Sequence, residues 1–129
     1  MAIRRIETGR PYEHKVRHGA GTVVSGAVFH TSGLTSRDRD GNIVGKGDMA
    51  AQIAQAFANV GDALRAAGSD FPRVVKYTIY VTDIDAYLKV AAPITAPFSA
   101  HRQASTLIQV SRLAHPDPMI EVEAIAEVP

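Results

Sequence analysis

Two stretches near the end of the chain, Ser105-Thr-Leu-Ile-Gln-Val-Ser-Arg-Leu113 and Ile120-Glu-Val-Glu-Ala-Ile-Ala126, decide the fold. Both alternate with a period of two, the mark of β-strands. In the second, Ile120, Val122, Ala124 and Ala126 share one face, and Glu121, Glu123 and Ile125 share the other. A sheet face with two carboxylates cannot be a dry core face; it must meet water, a basic partner or another subunit. The intervening Ala114-His-Pro-Asp-Pro118 carries two prolines that cannot donate in a ladder, so it is a connection.

Upstream, Asp48 is a good N-cap for a helix over Met49–Ala67. Ile53, Phe57, Val60, Leu64 and Ala67 form one apolar stripe, with Gln52, Gln55, Asn59, Asp62 and Arg65 on the outside. Gly68 suits the position just past the helix end. Val74–Val81 is rich in β-branched and aromatic residues and reads as a strand, apolar on Val75, Ile79 and Val81 and mixed on Lys76, Thr78 and Tyr80. Asp83 can cap a second helix from Ile84 to about Ala92, which Pro93 and Pro97 break or kink. Ile3–Thr8 is a short strand candidate. Thr22-Val-Val24 and Ala27–His30 are two strand pieces joined at Ser25-Gly26, a hairpin signal. Leu34–Gly47 is a loop, whose Arg37 and Arg39 either face water or rim a ligand site.

The order is therefore β, β, β, α, β, α, β, β. A strand–helix–strand unit with a long helix implies an α+β mixed sheet with two helices packed on one face. The other face needs a cover, and another subunit is the simplest one.

At 129 residues a single domain over 1–129 is expected. With 46% hydrophobic and 21% charged residues, the composition is that of an ordinary globular protein. A net charge of +1 gives no electrostatic reason to expect nucleic acid or an acidic membrane. The absence of cysteine excludes disulfides, thiolate chemistry and Cys-built zinc sites. No run approaches membrane-span length and Met-Ala-Ile-Arg-Arg is followed by no apolar signal, so a cytoplasmic location is expected.

Thr31-Ser-Gly33, the helix ending Ala-Ala-Gly68, Val-Val-Lys-Tyr-Thr-Ile-Tyr-Val-Thr-Asp83 and Ile-Glu-Val-Glu-Ala-Ile-Ala126 resemble, together and in this order, the reactive intermediate deaminase (RidA/YjgF) superfamily. The resemblance runs from about Tyr12 to the end. It implies a chorismate-mutase-like fold, trimeric, with the sheets inward and three ligand clefts at the subunit interfaces. It also implies hydrolysis of reactive enamines and imines to 2-keto acids and ammonia, with neither metal nor organic cofactor. A strand arginine would hold the substrate carboxylate in a bidentate pair. A backbone group at the Ser-Gly turn and a glutamate-held water would complete the site.

Carried over, Ser32 and Gly33 occupy the turn and Glu121 the position of the water-holding glutamate. The arginine should stand directly before Thr106, where this chain has Ser105. The asparagine usual in the second helix is replaced by Ala91. The aromatic that precedes the first sheet strands falls near His18-Gly19, and the connection from Ala91 to Ser105 is shorter than in the deaminating members. Serine brings one hydrogen bond but neither charge nor fork. The standard 2-iminopropanoate reaction is therefore not expected.

The site candidates are Glu121 for catalysis and Ser32, Gly33, Ser105, Arg102 and His18 for substrate. Glu121 and Glu123 lie about 7 Å apart by strand rise, and Glu123 reads as structural. His14 and His18 stand four apart without helical periodicity, so no metal site is expected. Arg17, Arg37 and Arg102 are each able to supply charge from another direction, Arg102 first because it lies just before Ser105. No Ser-His-Asp spacing marks Ser105 as a nucleophile. The reading is a small-molecule enzyme hydrolysing, deaminating or tautomerising an imine, enamine or related metabolite at a homotrimer interface. The alternatives are a non-catalytic ligand-binding or chaperone-like trimer and, last, a ribonuclease.

Overall fold

Eight regular elements follow the expected order in the computed structural model, which describes residues 3–11 and 20–129. They are β1 (Ile3–Ile6), β2 (Gly21–Val24), β3 (Val28–His30), α1 (Met49–Ala66), β4 (Val74–Val81), α2 (Ile84–Thr95), β5 (Ala104–Gln109) and β6 (Ile120–Glu127). A mixed sheet has the order β3-β6-β4-β5, with β4 and β5 parallel and the other pairs antiparallel. This is the α+β architecture expected, two helices on a mixed sheet.

The β2–β3 hairpin does not form. β2 pairs with β1 in a separate two-stranded sheet, and β3 pairs with β6. Gly26, at φ +90°, turns the chain between the two sheets. Arg5 joins them, donating from Nη1 to the Val74 carbonyl at 2.8 Å and from Nη2 to that of Pro72 at 3.1 Å.

α1 starts and stops where its caps dictate. The Asp48 carboxylate accepts from the Ala51 amide at 3.1 Å. At the other end Gly68 takes φ +80°, and the Ser69 amide donates back to the Leu64 carbonyl at 2.8 Å. Ile53, Phe57, Val60 and Leu64 are buried against Val74, Tyr77 and Val81 of β4 and Ile120, Val122, Ala124 and Ala126 of β6. Full burial of each large side chain stabilises by about 1.5–3 kcal/mol.

Gln52 departs from the expected outer face: it is fully buried. Its amide nitrogen donates to the carbonyls of Gly45 and Asp117, both at 3.2 Å, and its oxygen accepts from the Met119 amide at 2.7 Å. Asn59 does the same for the neighbouring loop, donating to the Thr35 and Arg37 carbonyls at 2.8 Å. The polar side of α1 thus holds two connections rather than facing water alone.

α2 runs through Pro93 to Thr95. Pro93 and Lys89 are exposed, so the carbonyl that loses its intrahelical partner faces solvent. β5 ends at Gln109 rather than Leu113, although the Val110 amide still donates to the Val81 carbonyl at 2.8 Å. Tyr77 alternates with Val75 and Ile79 into the core, where its ring lies edge-on to Phe57 at 5.5 Å and its hydroxyl donates to the Phe98 carbonyl at 2.7 Å.

Burial raises the Tyr77 phenol above its ordinary range, with Arg5 opposing the shift. Its folded pKa exceeds its unfolded value of about 10, so its contribution is complete below that pH and is lost as pH rises further. Alkaline denaturation is therefore expected to weaken the fold by up to about 1.4 kcal/mol per pH unit above pH ~10 through this group. Urea titrations from pH 9 to 11 check this, and Tyr77→Phe is expected to show a shallower pH slope than the parent.

Candidate functional site

The turn after β3 is pinned to β6 on both sides. The Thr31 amide donates to the Ala124 carbonyl and the Ala124 amide to the Thr31 hydroxyl oxygen, each at 2.9 Å. Leu34 and Val122 exchange main-chain bonds at 2.8 and 2.9 Å. Ser32 and Gly33, between these anchors, are exposed, and neither amide donates to main chain among the described residues. A Cβ added at Gly33 would lie 2.8 Å from Glu121 Cδ and closer still to its Oε2. Gly33 is therefore the residue that lets the Glu121 carboxylate rest on the turn.

Glu121 belongs to the sheet face turned away from the helices. Register places Tyr80 beside Glu121, Thr78 beside Glu123 and Thr106, and Ile108 beside Tyr80, on that same face. Tyr80 donates to Glu123 Oε1 at 2.8 Å, and this bond, followed by desolvation, raises the Tyr80 phenol above its usual value. Glu123 is thus held by a hydroxyl, while Glu121 sits at the turn.

Ser105 is on the opposite face. It pairs with Tyr77, whose side chain enters the helix-side core, and it lines a cavity of about 240 Å³ between α2 and the β4–β5 edge. Ala91 and Ala92 of α2, with Phe57, Tyr87 and Ile79, supply most of its apolar wall. Leu88, 60% exposed, belongs to the same lining. Within one chain the sheet separates Ser105 from Glu121.

Arg102 does not line this cavity. It forms an ion pair with Glu7 and takes a left-handed backbone conformation, φ +54°, just before β5. Arg37 donates to the Gly41 carbonyl at 2.6 Å, folding back on its own loop. His18, His14 and Arg17 lie outside the described residues. Among the described residues no three His, Asp or Glu side chains converge as a metal site, and no helix is long and apolar enough to cross a membrane.

Sequence reasoning missed Gln103. It is 2% exposed, lines the cavity, and donates from its amide nitrogen to the Phe71 and Phe98 carbonyls at 3.1 and 3.2 Å. A glutamine in a polar flank carries no signal of burial. Tyr77, by contrast, was readable from the alternation of β4.

A mixed sheet under two helices, with a pinned Ser-Gly turn and a carboxylate on one side and a small apolar cavity on the other, places the chain in the α+β class. The whole chain carries the family signature: residues 2–128 match the family described as endoribonuclease L-PSP, and the chain belongs to that family, within the RidA/YjgF superfamily. It is 31% identical over 116 residues to a RutC family protein of Pyrococcus horikoshii, covering 90% of this chain and 86% of that one. It is 33% identical over 99 residues to the 2-iminobutanoate/2-iminopropanoate deaminase of Rattus norvegicus, covering 77% and 72%. The structure of the Rid-family protein YyfB of Yersinia pestis superposes with a TM-score of 0.85 at 30% identity, covering 98% of each chain.

Gly33→Ala is expected to keep the fold, with unfolding free energy within about 1 kcal/mol of the parent, because the atoms displaced belong to the outer end of a side chain. The same change is expected to move the Glu121 carboxylate off the turn. A crystal structure of the variant, paired with a urea titration, checks both.

Proposed function

We propose that this chain is a small-molecule enzyme whose cleft is shared between subunits of a homotrimer, acting by hydrolysis, deamination or tautomerisation on an imine, enamine or related compound. One observation carries the reading: Gly33–Glu121 and the Ser105 cavity lie on opposite faces of one sheet. A single ligand touches both only when one half comes from a neighbouring chain. The face of Thr78, Tyr80, Thr106 and Ile108, partly exposed among the described residues, offers a surface for that neighbour. Similarity to a 2-iminobutanoate/2-iminopropanoate deaminase supports the reaction class.

In this proposal Glu121 holds a water, takes one of its protons as the oxygen bonds to the imine carbon and passes that proton to the nitrogen, giving a carbinolamine. It then moves the hydroxyl proton of the adduct to the same nitrogen as the carbon–nitrogen bond breaks, so that a carbonyl compound and ammonia leave. Ser32 and Gly33 present main-chain groups to the reacting centre, and Ser105 gives one hydrogen bond at the other end. Arg102 would supply charge only by leaving Glu7. His18 is proposed to stand beside the same cleft as a proton carrier.

Ser105 and Ala91 favour a second reading, a trimer that binds a ligand without turning it over. A ribonuclease is disfavoured by the net charge of +1, since nucleic-acid affinity rests on phosphate neutralisation.

Two measurements test the proposal. Light scattering is expected to give a trimer; a stable monomer contradicts the shared cleft. In a coupled assay, hydrolysis of 2-iminopropanoate is expected to be slow. A charge-assisted bond contributes ~1.5–3 kcal/mol, and replacing a bidentate pair by one neutral bond loses about 2–4 kcal/mol, or about 30- to 1,000-fold in the specificity constant. A rate equal to that of an arginine-bearing relative beside it contradicts the role given to Ser105.

A further inference from the structure

Most polar side chains around the cavity beside Ser105 are already committed. The Tyr77 hydroxyl donates to the Phe98 carbonyl at 2.7 Å, Thr95 to that of Ala91 at 3.1 Å, and Ser99 to that of Thr95 at 3.0 Å. The Gln103 amide nitrogen is taken by the Phe71 and Phe98 carbonyls, and its oxygen is closed off inside the fold. Two further hydroxyls, those of Tyr87 and Ser105, line the same space. Tyr87 is buried and has a partner of its own. Ser105 is the exception. It is half-buried, and its hydroxyl has no hydrogen bond among the described residues yet keeps accessible surface.

A serine hydroxyl rotates, and it both donates and accepts. It therefore serves a neutral alcohol, carbonyl or imine nitrogen equally well. For a carboxylate it is a poor host, because one neutral bond does not offset the loss of the anion's hydration. Among the described residues no charged side chain lines the cavity to make up the difference. The rest of the wall is apolar, from Phe57, Ile79, Leu88, Ala91 and Ala92. The volume of about 240 Å³ exceeds the roughly 150 Å³ that admits benzene in an apolar core.

We infer that Ser105 is a specificity-determining residue that selects an uncharged ligand. An apolar body of about one ring fills the cavity, and a neutral oxygen or nitrogen on it meets the Ser105 hydroxyl. This rests on the shared-cleft reading for its place in the site and adds the chemical class of the ligand. In that reading the far end of the cleft holds Glu121, a carboxylate, which disfavours a second anion further.

Toluene, benzyl alcohol, acetophenone and benzoate share one ring and differ at one substituent. Titration calorimetry on the full chain is expected to give benzyl alcohol and acetophenone a Kd about 2- to 10-fold below that of toluene, the worth of one neutral hydrogen bond. Benzoate is expected to bind at least about tenfold more weakly than benzyl alcohol. Ser105→Ala is expected to bring benzyl alcohol and acetophenone to the Kd of toluene and to leave toluene itself within about twofold. Ala91→Leu, which fills the cavity, is expected to abolish binding of all four. Should Ala91→Leu not fold, the four probes and Ser105→Ala still decide. The inference is overturned if no probe binds, or if benzoate binds as tightly as benzyl alcohol. It is equally overturned if either neutral polar probe binds no tighter than toluene, or if Ser105→Ala leaves the order unchanged. Light scattering on the same samples separates the two readings. A trimer preferring benzoate overturns the ligand class alone. A monomer preferring the neutral polar probes overturns the shared cleft alone.

Discussion

The two-faced β6 strand is the constraint on which the rest depends. It lies inside the sheet, between β3 and β4, so both of its edges are committed to hydrogen bonds. Its alternation then has only the two faces to act on. Ile120, Val122, Ala124 and Ala126 are buried beneath the helices, whereas Glu121 and Glu123 stay partly exposed on the far side. A one-residue slip of β6 would drive both carboxylates into the core and expose the aliphatic set. The Thr31 and Leu34 main-chain bonds oppose such a slip and bring the Ser32-Gly33 turn against Glu121. Register, core and candidate chemistry are thus fixed by the same contacts.

The helix side is held differently. Small residues on α2, Ala91 and Ala92, leave space against β5 that larger side chains would fill. Phe57 and Tyr77 line that space, and further rings back them: the Phe57 and Phe98 rings stack at 5.2 Å, and Phe71 meets Phe98 at 4.8 Å. Gln103 ties the wall together through two carbonyls, and its unpartnered oxygen is a consequence of doing so.

Much of the fold was legible because its signals are local and periodic. The apolar stripe of α1, its Asp48 cap, the Gly68 stop and the alternation of β4 and β6 each follow from residue type and spacing alone. The β2–β3 hairpin failed because Ser25-Gly26 specifies a turn but not what the strands pair with; partner choice is long-range. The burial of Gln52 failed for a related reason. A polar residue on a helix reads as outward unless the distant connection it holds, here Gly45 and Asp117–Met119, is already in view. The Gly33–Glu121 pairing came from family resemblance, not from spacing, since the two stand far apart in the chain. The opposite facing of Ser105 and Glu121 required the register of β4 against both of its neighbours.

A chain without cysteine offers a direct test of whether two subunits build one cleft. Ser32→Cys marks the turn beside Glu121, and Leu88→Cys marks the lining of the cavity on α2. The two single variants are unfolded together, refolded as a mixture and treated with a short bismaleimide. The account predicts a covalent dimer of chains that joins residue 32 of one to residue 88 of another and appears only in the mixture. Its absence from a mixture shown to have exchanged subunits, or a product equally abundant in either variant alone, would contradict it.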